Sequence, residues 1–171
     1  KIILAGNQEQ YDVCLEILKQ ENTELKTIIV CKKAVWIKKE FSSFYLEDFI
    51  FKSSPKIEYK TKNDDDLATI IYTSGTTGNP KGVLITHGNF LKNINAHFEY
   101  YQFKNFEDEV SLAFLPLTHV FERSWSLLCL YGGARVYFLE DSKAIAKALV
   151  EIKPTMMCVV PRFLQKVYAG V

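Results

Sequence analysis

Residues 72–82 read YTSGTTGNPKG, and they hold the densest set of chemistry-bearing side chains in the chain. Thr73, Ser74, Thr76 and Thr77 supply hydroxyls beside exposed backbone N–H groups, while Gly75, Gly78 and Gly82 permit backbone conformations and close approaches that a Cβ would block. A concave array of such donors suits phosphate oxygens. Lys81 adds a mobile positive charge at its edge, and charge-assisted hydrogen bonds are about twice as strong as neutral ones. The plainer reading is a glycine-rich turn between two strands with solvated hydroxyls. The loop also departs from the Walker A pattern G-x-x-x-x-G-K-[ST]. Lys81 follows Pro80 rather than glycine, precedes Gly82 rather than Ser or Thr, and leads into the apolar run GVLIT rather than a helix. Phosphates would therefore be held by loop amides, hydroxyls and Lys81, without a helix dipole.

The elements that must position this loop alternate between β-prone runs and segments of helical period, the pattern of a sheet covered by helices. IILA opens as a strand, Tyr11, Cys14, Leu15 and Leu18 fall on one helical face, and TIIVC returns as a strand, which makes a βαβ unit. Residues 32–63 are irregular and lysine-rich, with SSP at 53–55 and NDDD at 63–66 marking a connection and a solvated turn. LATIIY then feeds the loop as a strand and GVLIT leaves it as another. Thr86 is the predicted N-cap of a helix whose apolar face is Phe90, Leu91, Ile94, Phe98 and Tyr101. Strand SLAFLP, a helix around residues 121–130, strand RVYFL, a helix capped by Ser142 with Ile145, Ala148, Leu149 and Ile152 inward, and strand MMCVV follow. The expected fold class is α/β, layered, with a largely parallel, doubly wound sheet flanked by helices.

Composition narrows the function. A chain of 171 residues, 48% hydrophobic and 13% aromatic, suffices for one compact unit with a sizeable core. Its net charge of +1 argues against nucleic-acid binding through bulk electrostatics, so any anion must be held locally. Cys14, Cys31, Cys129 and Cys158 lie in apolar runs without C-x-x-C spacing, and His87, His97 and His119 do not cluster with them as zinc ligands would. Reduced thiols in a cytoplasmic protein are expected. The longest uncharged run, between Arg123 and Arg135, is too short to span a bilayer.

YTSGTTGNPKGV resembles the phosphate-loop signature of the adenylate-forming enzymes, the superfamily of acyl-CoA synthetases, luciferases and the adenylation domains of peptide synthetases. FLPLTHVFER (114–123) resembles the second motif of the long-chain fatty acid CoA ligases, KPTMMCVVPRFLQKVY (153–168) resembles their following strand and helix, and QEQYDVCLEI is similar to a segment that precedes their loop. The resemblance covers nearly the whole chain and is weakest over residues 32–63. It implies a two-step reaction: a fatty carboxylate attacks the α-phosphate of ATP to give acyl adenylate and pyrophosphate, and the thiol of coenzyme A then displaces AMP. A carboxylate is already ionised at neutral pH, so the first step needs positioning and charge stabilisation rather than a general base.

By the same resemblance, Thr73, Ser74, Gly75, Thr76, Thr77, Gly78 and Lys81 would hold the ATP phosphates, Lys81 would offset charge on the departing pyrophosphate, and Thr73 would help hold Mg²⁺. His119 matches the histidine that borders the acyl and adenylate site. Taken alone, a histidine in this apolar run reads as a satisfied core residue. Glu122 and Arg123 are consecutive, so on a helix they diverge towards different partners; a long-chain-specific role and a surface ion pair are both open. Trp125 reads as a core aromatic or as lining of an acyl tunnel, and Arg162 as the start of a helix after Pro161.

The adenine and ribose motifs of that superfamily, its hinge and its C-terminal domain with a second catalytic lysine have no counterpart in these residues. Residues 1–171 therefore read as a single partial domain, a central part of the large N-terminal domain, expected to be inactive alone and prone to self-association. Fatty acid, ATP and coenzyme A are the expected partners, with no nucleic acid and with peripheral membrane contact open in the parent. The alternatives are an adenylating enzyme for an aryl or amino acid and a non-catalytic fragment.

Overall fold

The run IILA forms strand β1 (Ile2–Ala5) and TIIV forms β2 (Thr27–Val30), joined by helix α1 (Gln8–Leu18), which buries Tyr11, Cys14 and Leu15 on the face its periodicity predicts. In this computed structural model, residues 1–38, 40–51, 60–74, 78–102 and 105–170 are described. They gather into two compact units, Lys1–Tyr59 and Lys60–Val171, where length alone suggested one. The physical reason is two separate buried clusters, one centred on Tyr11 and Ile28 and one on Phe106 and Leu128.

In the first unit, β1 and β2 pair in parallel, and β2 pairs in parallel with β3 (Ser43–Tyr45), which leads into the short helix α2 (Leu46–Phe51). Both β3 and α2 correct the expectation that residues 32–63 are irregular. Tertiary hydrogen bonds order this segment. The fully buried Tyr11 donates its hydroxyl to Ser43 Oγ at 3.0 Å and accepts the Lys38 N–H at 2.9 Å, while Tyr45 donates to the Val35 carbonyl at 2.8 Å. A buried phenol needs such partners, and these lie too far along the chain to leave a local signal. The SSP connection at 53–55 lies outside the described residues.

Near the start of the second unit lies the NDDD turn, which is solvated except at Asp66 and which also organises its neighbours. Asp64 and Asp66 accept the backbone N–H groups of Gly88 and His87 at 2.8 and 3.0 Å. A Cβ on Gly88 would sit 2.9 Å from that of Asp64, so this contact requires glycine. Strand β4 (Leu67–Thr73) and strand β5 (Lys81–Thr86) pair antiparallel on either side of the glycine-rich loop. Helix α3 (His87–Tyr101) starts at the expected cap: Thr86 and Asn89 form a reciprocal capping box. Ile94 is buried and Phe98 half-buried on its inner face, whereas Leu91 and Tyr101 are exposed.

Strand β6 (Val110–Ala113), helix α4 (Val120–Tyr131), strand β7 (Arg135–Phe138), helix α5 (Ile145–Ile152) and helix α6 (Pro161–Ala169) complete the unit, with β6 and β7 parallel. Among the described residues the strands form three sheets, ordered β1-β2-β3, β4-β5 and β6-β7, and all pairings except the hairpin are parallel. The class is α/β, as expected.

Two local expectations are corrected. MMCVV does not form a strand; it meets β6 in one parallel bridge, Ser111 to Met156, and the ladder goes no further. Ser142 does not cap α5. Asp141 accepts the Lys143 N–H and caps a 3-10 turn over Ser142–Ala144, which continues into α5 at Ile145. The inward face of α5 is nevertheless as expected, with Ala148 buried and Ile145, Leu149 and Ile152 half-buried. Pro161 opens α6 from its first turn, where a missing N–H costs nothing.

Candidate active site

Thr73 and Lys81 close the loop. They are registered partners at the ends of β4 and β5, and Thr73 Oγ1 donates to the Lys81 carbonyl at 3.4 Å. That bond uses the lysine backbone and leaves its ammonium group unengaged by it. Thr73, Ser74, Gly78 and Lys81 are all exposed, so the hydroxyls and the charge face solvent at one end of the hairpin. Gly78 has φ of 84°, a left-handed conformation that favours glycine, and a Cβ there would meet nothing within 4 Å. Its requirement is conformational. Gly82 is different: on the other face of the hairpin a Cβ would lie 3.0 Å from Ile70 Cγ2 and 3.5 Å from the Tyr72 ring. Gly75, Thr76 and Thr77 lie outside the described residues.

His119 stands at the N-cap position of α4 with no side-chain cap bond, exposed rather than in the core where the isolated residue would be expected. Its N–H donates to the Pro116 carbonyl at 3.0 Å, which folds residues 116–119 into a turn. The two charged residues that follow hold this segment from opposite sides. Glu122 is fully buried and accepts the Leu115 N–H at 3.2 Å and the Ser126 hydroxyl at 3.4 Å. Burial raises its carboxyl above the ordinary value, outweighing the hydrogen bonds that favour the charged form. Arg123 donates from Nε to the Leu117 carbonyl and from Nη1 to Thr69 Oγ1, each at 2.8 Å. The two side chains do diverge to different partners, as helical geometry requires. Neither partner is a carboxylate or an ammonium group, so the surface ion pair is ruled out for these contacts.

Trp125 is half-buried against the Phe106 and Leu128 cluster, and its indole N–H donates to Ser111 Oγ at 3.0 Å, which supports the core assignment. Where β6 and β7 end, a mainly apolar cleft of about 850 Å³ is lined by Phe114, Leu117, Phe138, Val160 and Phe163, with Arg162 and Lys166 on its α6 side. Clefts beyond the carboxyl ends of parallel strands are the usual ligand sites of open α/β sheets. Cys14, Cys129 and Cys158 are buried free thiols, but Cys31 is exposed, contrary to the expectation of an apolar setting for all four. Burial pushes Cys129 up to about 11 and Cys158 to about 12, so neither is a nucleophile at neutral pH.

The signals for Thr73, Ser74, Gly78 and Lys81 were present in the sequence. Thr69 gave none, because it matters through Arg123, 54 residues away. No group of three or more His, Cys, Asp or Glu side chains able to hold a metal occurs among the described residues.

The chain belongs to the AMP-binding enzymes, whose family pattern matches residues 1–170. It is 39% identical over 121 residues to long chain acyl-CoA synthetase 6, peroxisomal, of Arabidopsis thaliana, covering 70% of this chain and 17% of that protein. It is 38% identical over 107 residues to long-chain-fatty-acid–CoA ligase 6 of Mus musculus, covering 61% of this chain and 15% of that one. The chain thus spans about a sixth of the length of these curated relatives. The structure of o-succinylbenzoate CoA synthetase from Bacillus subtilis, in complex with its acyl-adenylate intermediate, superposes with a TM-score of 0.70 at 17% identity, covering 99% of this chain and 51% of that one. At that identity the likeness is one of fold.

Proposed function

We infer that these residues supply the ATP phosphate loop and part of the acyl site of an AMP-forming ligase that converts a long-chain fatty acid to its acyl adenylate and then to acyl-CoA. The observation that carries the reading is the closed hairpin: Thr73 and Lys81 are brought together in register at the two ends of the glycine- and hydroxyl-rich segment, with Thr73, Ser74, Gly78 and Lys81 exposed to solvent. The long-chain acyl-CoA synthetase names of the relatives support that substrate class, and the apolar cleft at the ends of β6 and β7 is consistent with an acyl substrate.

In the first step a carboxylate oxygen forms a bond to the α-phosphorus of ATP as the bond from that phosphorus to the pyrophosphate oxygen breaks. Lys81 offsets the charge gathering on the leaving pyrophosphate, Ser74, Thr76, Thr77 and the glycine backbone at 75 and 78 hold its oxygens, and His119 orients the reacting carboxylate. In the second step the coenzyme A thiolate takes the acyl carbon and AMP leaves. The Thr73 hydroxyl spends its hydrogen on the Lys81 carbonyl and keeps its lone pairs, so it fits as a single protein ligand to Mg²⁺. When bound, Mg²⁺ would neutralise phosphate charge.

Among the described residues no helix is long and apolar enough to cross a membrane. We place the reaction in the cytoplasm, with peripheral contact to the membrane that holds the fatty acid, and we expect residues 1–171 alone to self-associate and to catalyse neither step.

The test is ATP–pyrophosphate exchange by the intact protein with long-chain fatty acids, aryl acids and amino acids in parallel. Exchange confined to fatty acids is expected, and exchange driven only by an aryl or amino acid would replace the substrate class. Lys81→Ala should lower kcat on the order of 10²–10³-fold, the cost of losing one preorganised transition-state donor. Because Thr73 bonds the Lys81 backbone, strand closure should survive that substitution.

A further inference from the structure

Arg123 makes three hydrogen bonds that converge on the His119 turn and on the strand leading to the phosphate loop. Its backbone N–H donates to the His119 carbonyl at 3.2 Å, starting α4. Its Nε donates to the Leu117 carbonyl, two residues before His119, and its Nη1 donates to Thr69 Oγ1 on β4. Side chains alternate along a strand, so Thr69, Ile71 and Thr73 share one face of β4, while Ile70 and Tyr72 share the other and pack over Gly82. Arg123 therefore fastens the His119 turn to the same face of β4 from which Thr73 projects, four residues or about 13 Å along the strand.

The chemistry of the clamp is specific. A guanidinium is planar, permanently charged and presents several N–H donors in a fixed fork, so one residue can hold a carbonyl and a hydroxyl at once. Lysine offers one mobile ammonium group and cannot reproduce that fork. Glu122 holds the same segment from the inside through the Leu115 N–H. The segment preceding His119 is thus tied at Leu115 to the buried side of α4, and at Leu117 to a residue that also grips β4.

We propose that Arg123 is a positioning residue for adenylation, setting the His119 turn in register with the Thr73 end of the phosphate loop through Thr69. This rests on the roles given to His119 and the loop under Proposed function. It predicts a loss in turnover rather than in ATP binding, because a small misplacement of a positioned group costs up to about 10²-fold in rate.

The experiment uses the intact protein with Arg123→Ala, Arg123→Lys and Thr69→Val, alone and combined with His119→Ala. Pyrophosphate exchange is measured with whichever carboxylate the protein activates. Expected for Arg123→Ala is a fall in kcat of about 10- to 100-fold with the KM for ATP changed less than about threefold. Arg123→Lys should recover little of that fall. In the His119→Ala background, Arg123→Ala should cost less than about threefold further, since residues acting as a unit are not additive. Equal fold losses with and without His119 would overturn the proposal, because a merely structural role gives the same loss in both. Thr69→Val removes one acceptor at a half-buried strand position and keeps the test open if Arg123→Ala does not fold; kcat within twofold of the parent for Thr69→Val would also overturn it. Amide hydrogen exchange supplies a readout independent of activity. Faster exchange at residues 115–119 in Arg123→Ala is expected, and unchanged exchange there overturns the clamp even if the protein proves to activate no fatty acid.

Discussion

Gly132 lies under the ring of Phe106, where an added Cβ would collide with Cδ1 of that ring. Phe106 is buried with Ile94, Leu128 and Cys129, and its ring is tilted against that of Phe98 with centroids 5.2 Å apart, so it has little room to retreat. Gly132→Ala should therefore destabilise the second unit by about 1–3 kcal/mol, the range for overpacking a filled core. Phe106→Leu in the same chain should recover part of the loss. Denaturant midpoints of the two single variants and the double variant check this, and a Gly132→Ala midpoint equal to that of the parent would show that the ring moves freely.

Glu122 carries a pH dependence whose sign follows from its burial. Desolvation raises its carboxyl above the ordinary 4.5, so the folded state keeps a proton over an interval in which the unfolded chain has released it. Stability from this group falls as pH rises from the unfolded value through the raised folded one, because the native state binds more protons there. Glu122→Gln removes the titration, so its stability relative to the parent should rise across that interval and level off above it. Glu122→Ala leaves the Leu115 N–H without its acceptor and should cost about 1–3 kcal/mol at any pH. Urea unfolding at a series of pH values distinguishes the two effects.

Gly78 requires its left-handed φ but has open space where a side chain would go. Valine there should cost about 1–2 kcal/mol of backbone strain without a clash. The strain falls on the loop, so ATP use should drop while the circular dichroism spectrum stays that of the parent. Normal ATP binding by a folded Gly78→Val variant would remove the case for a phosphate cradle.

The four thiols should separate by accessibility. Cys31 is exposed, while Cys14, Cys129 and Cys158 are buried and burial raises all three. One thiol per chain should react quickly with a disulfide reagent in the native protein and four in denaturant. Cys31→Ser should abolish the fast phase; a remaining fast phase would mean that one of the buried thiols opens to solvent.

Much of this was local and therefore legible. The runs LATIIY and GVLIT are β-prone and flank a glycine-rich connection, so strand, loop and strand follow from propensity and turn chemistry alone. Thr86 announced the start of α3 and Pro161 that of α6, because caps act within one helical turn. The candidate phosphate loop was readable for the same reason: its glycines, hydroxyls and lysine are contiguous.

What only the tertiary structure decided depends on groups distant along the chain. Strand β3 forms where the Tyr11 hydroxyl reaches Ser43 and the Tyr45 hydroxyl reaches back to the Val35 carbonyl. MMCVV lacks a strand because its ladder with β6 stops after one bridge, which no propensity of Met or Val reveals. Gly88 and Gly132 are demanded by Asp64 and Phe106, more than twenty residues earlier in each case. For Glu122 and Arg123 the sequence left a long-chain-specific role and a surface ion pair both open; the fold buries one and extends the other to Thr69. Hydrophobic period and turn chemistry are properties of neighbours in sequence, whereas the partner of a buried carboxylate or an extended guanidinium is set by which strands pack beside it.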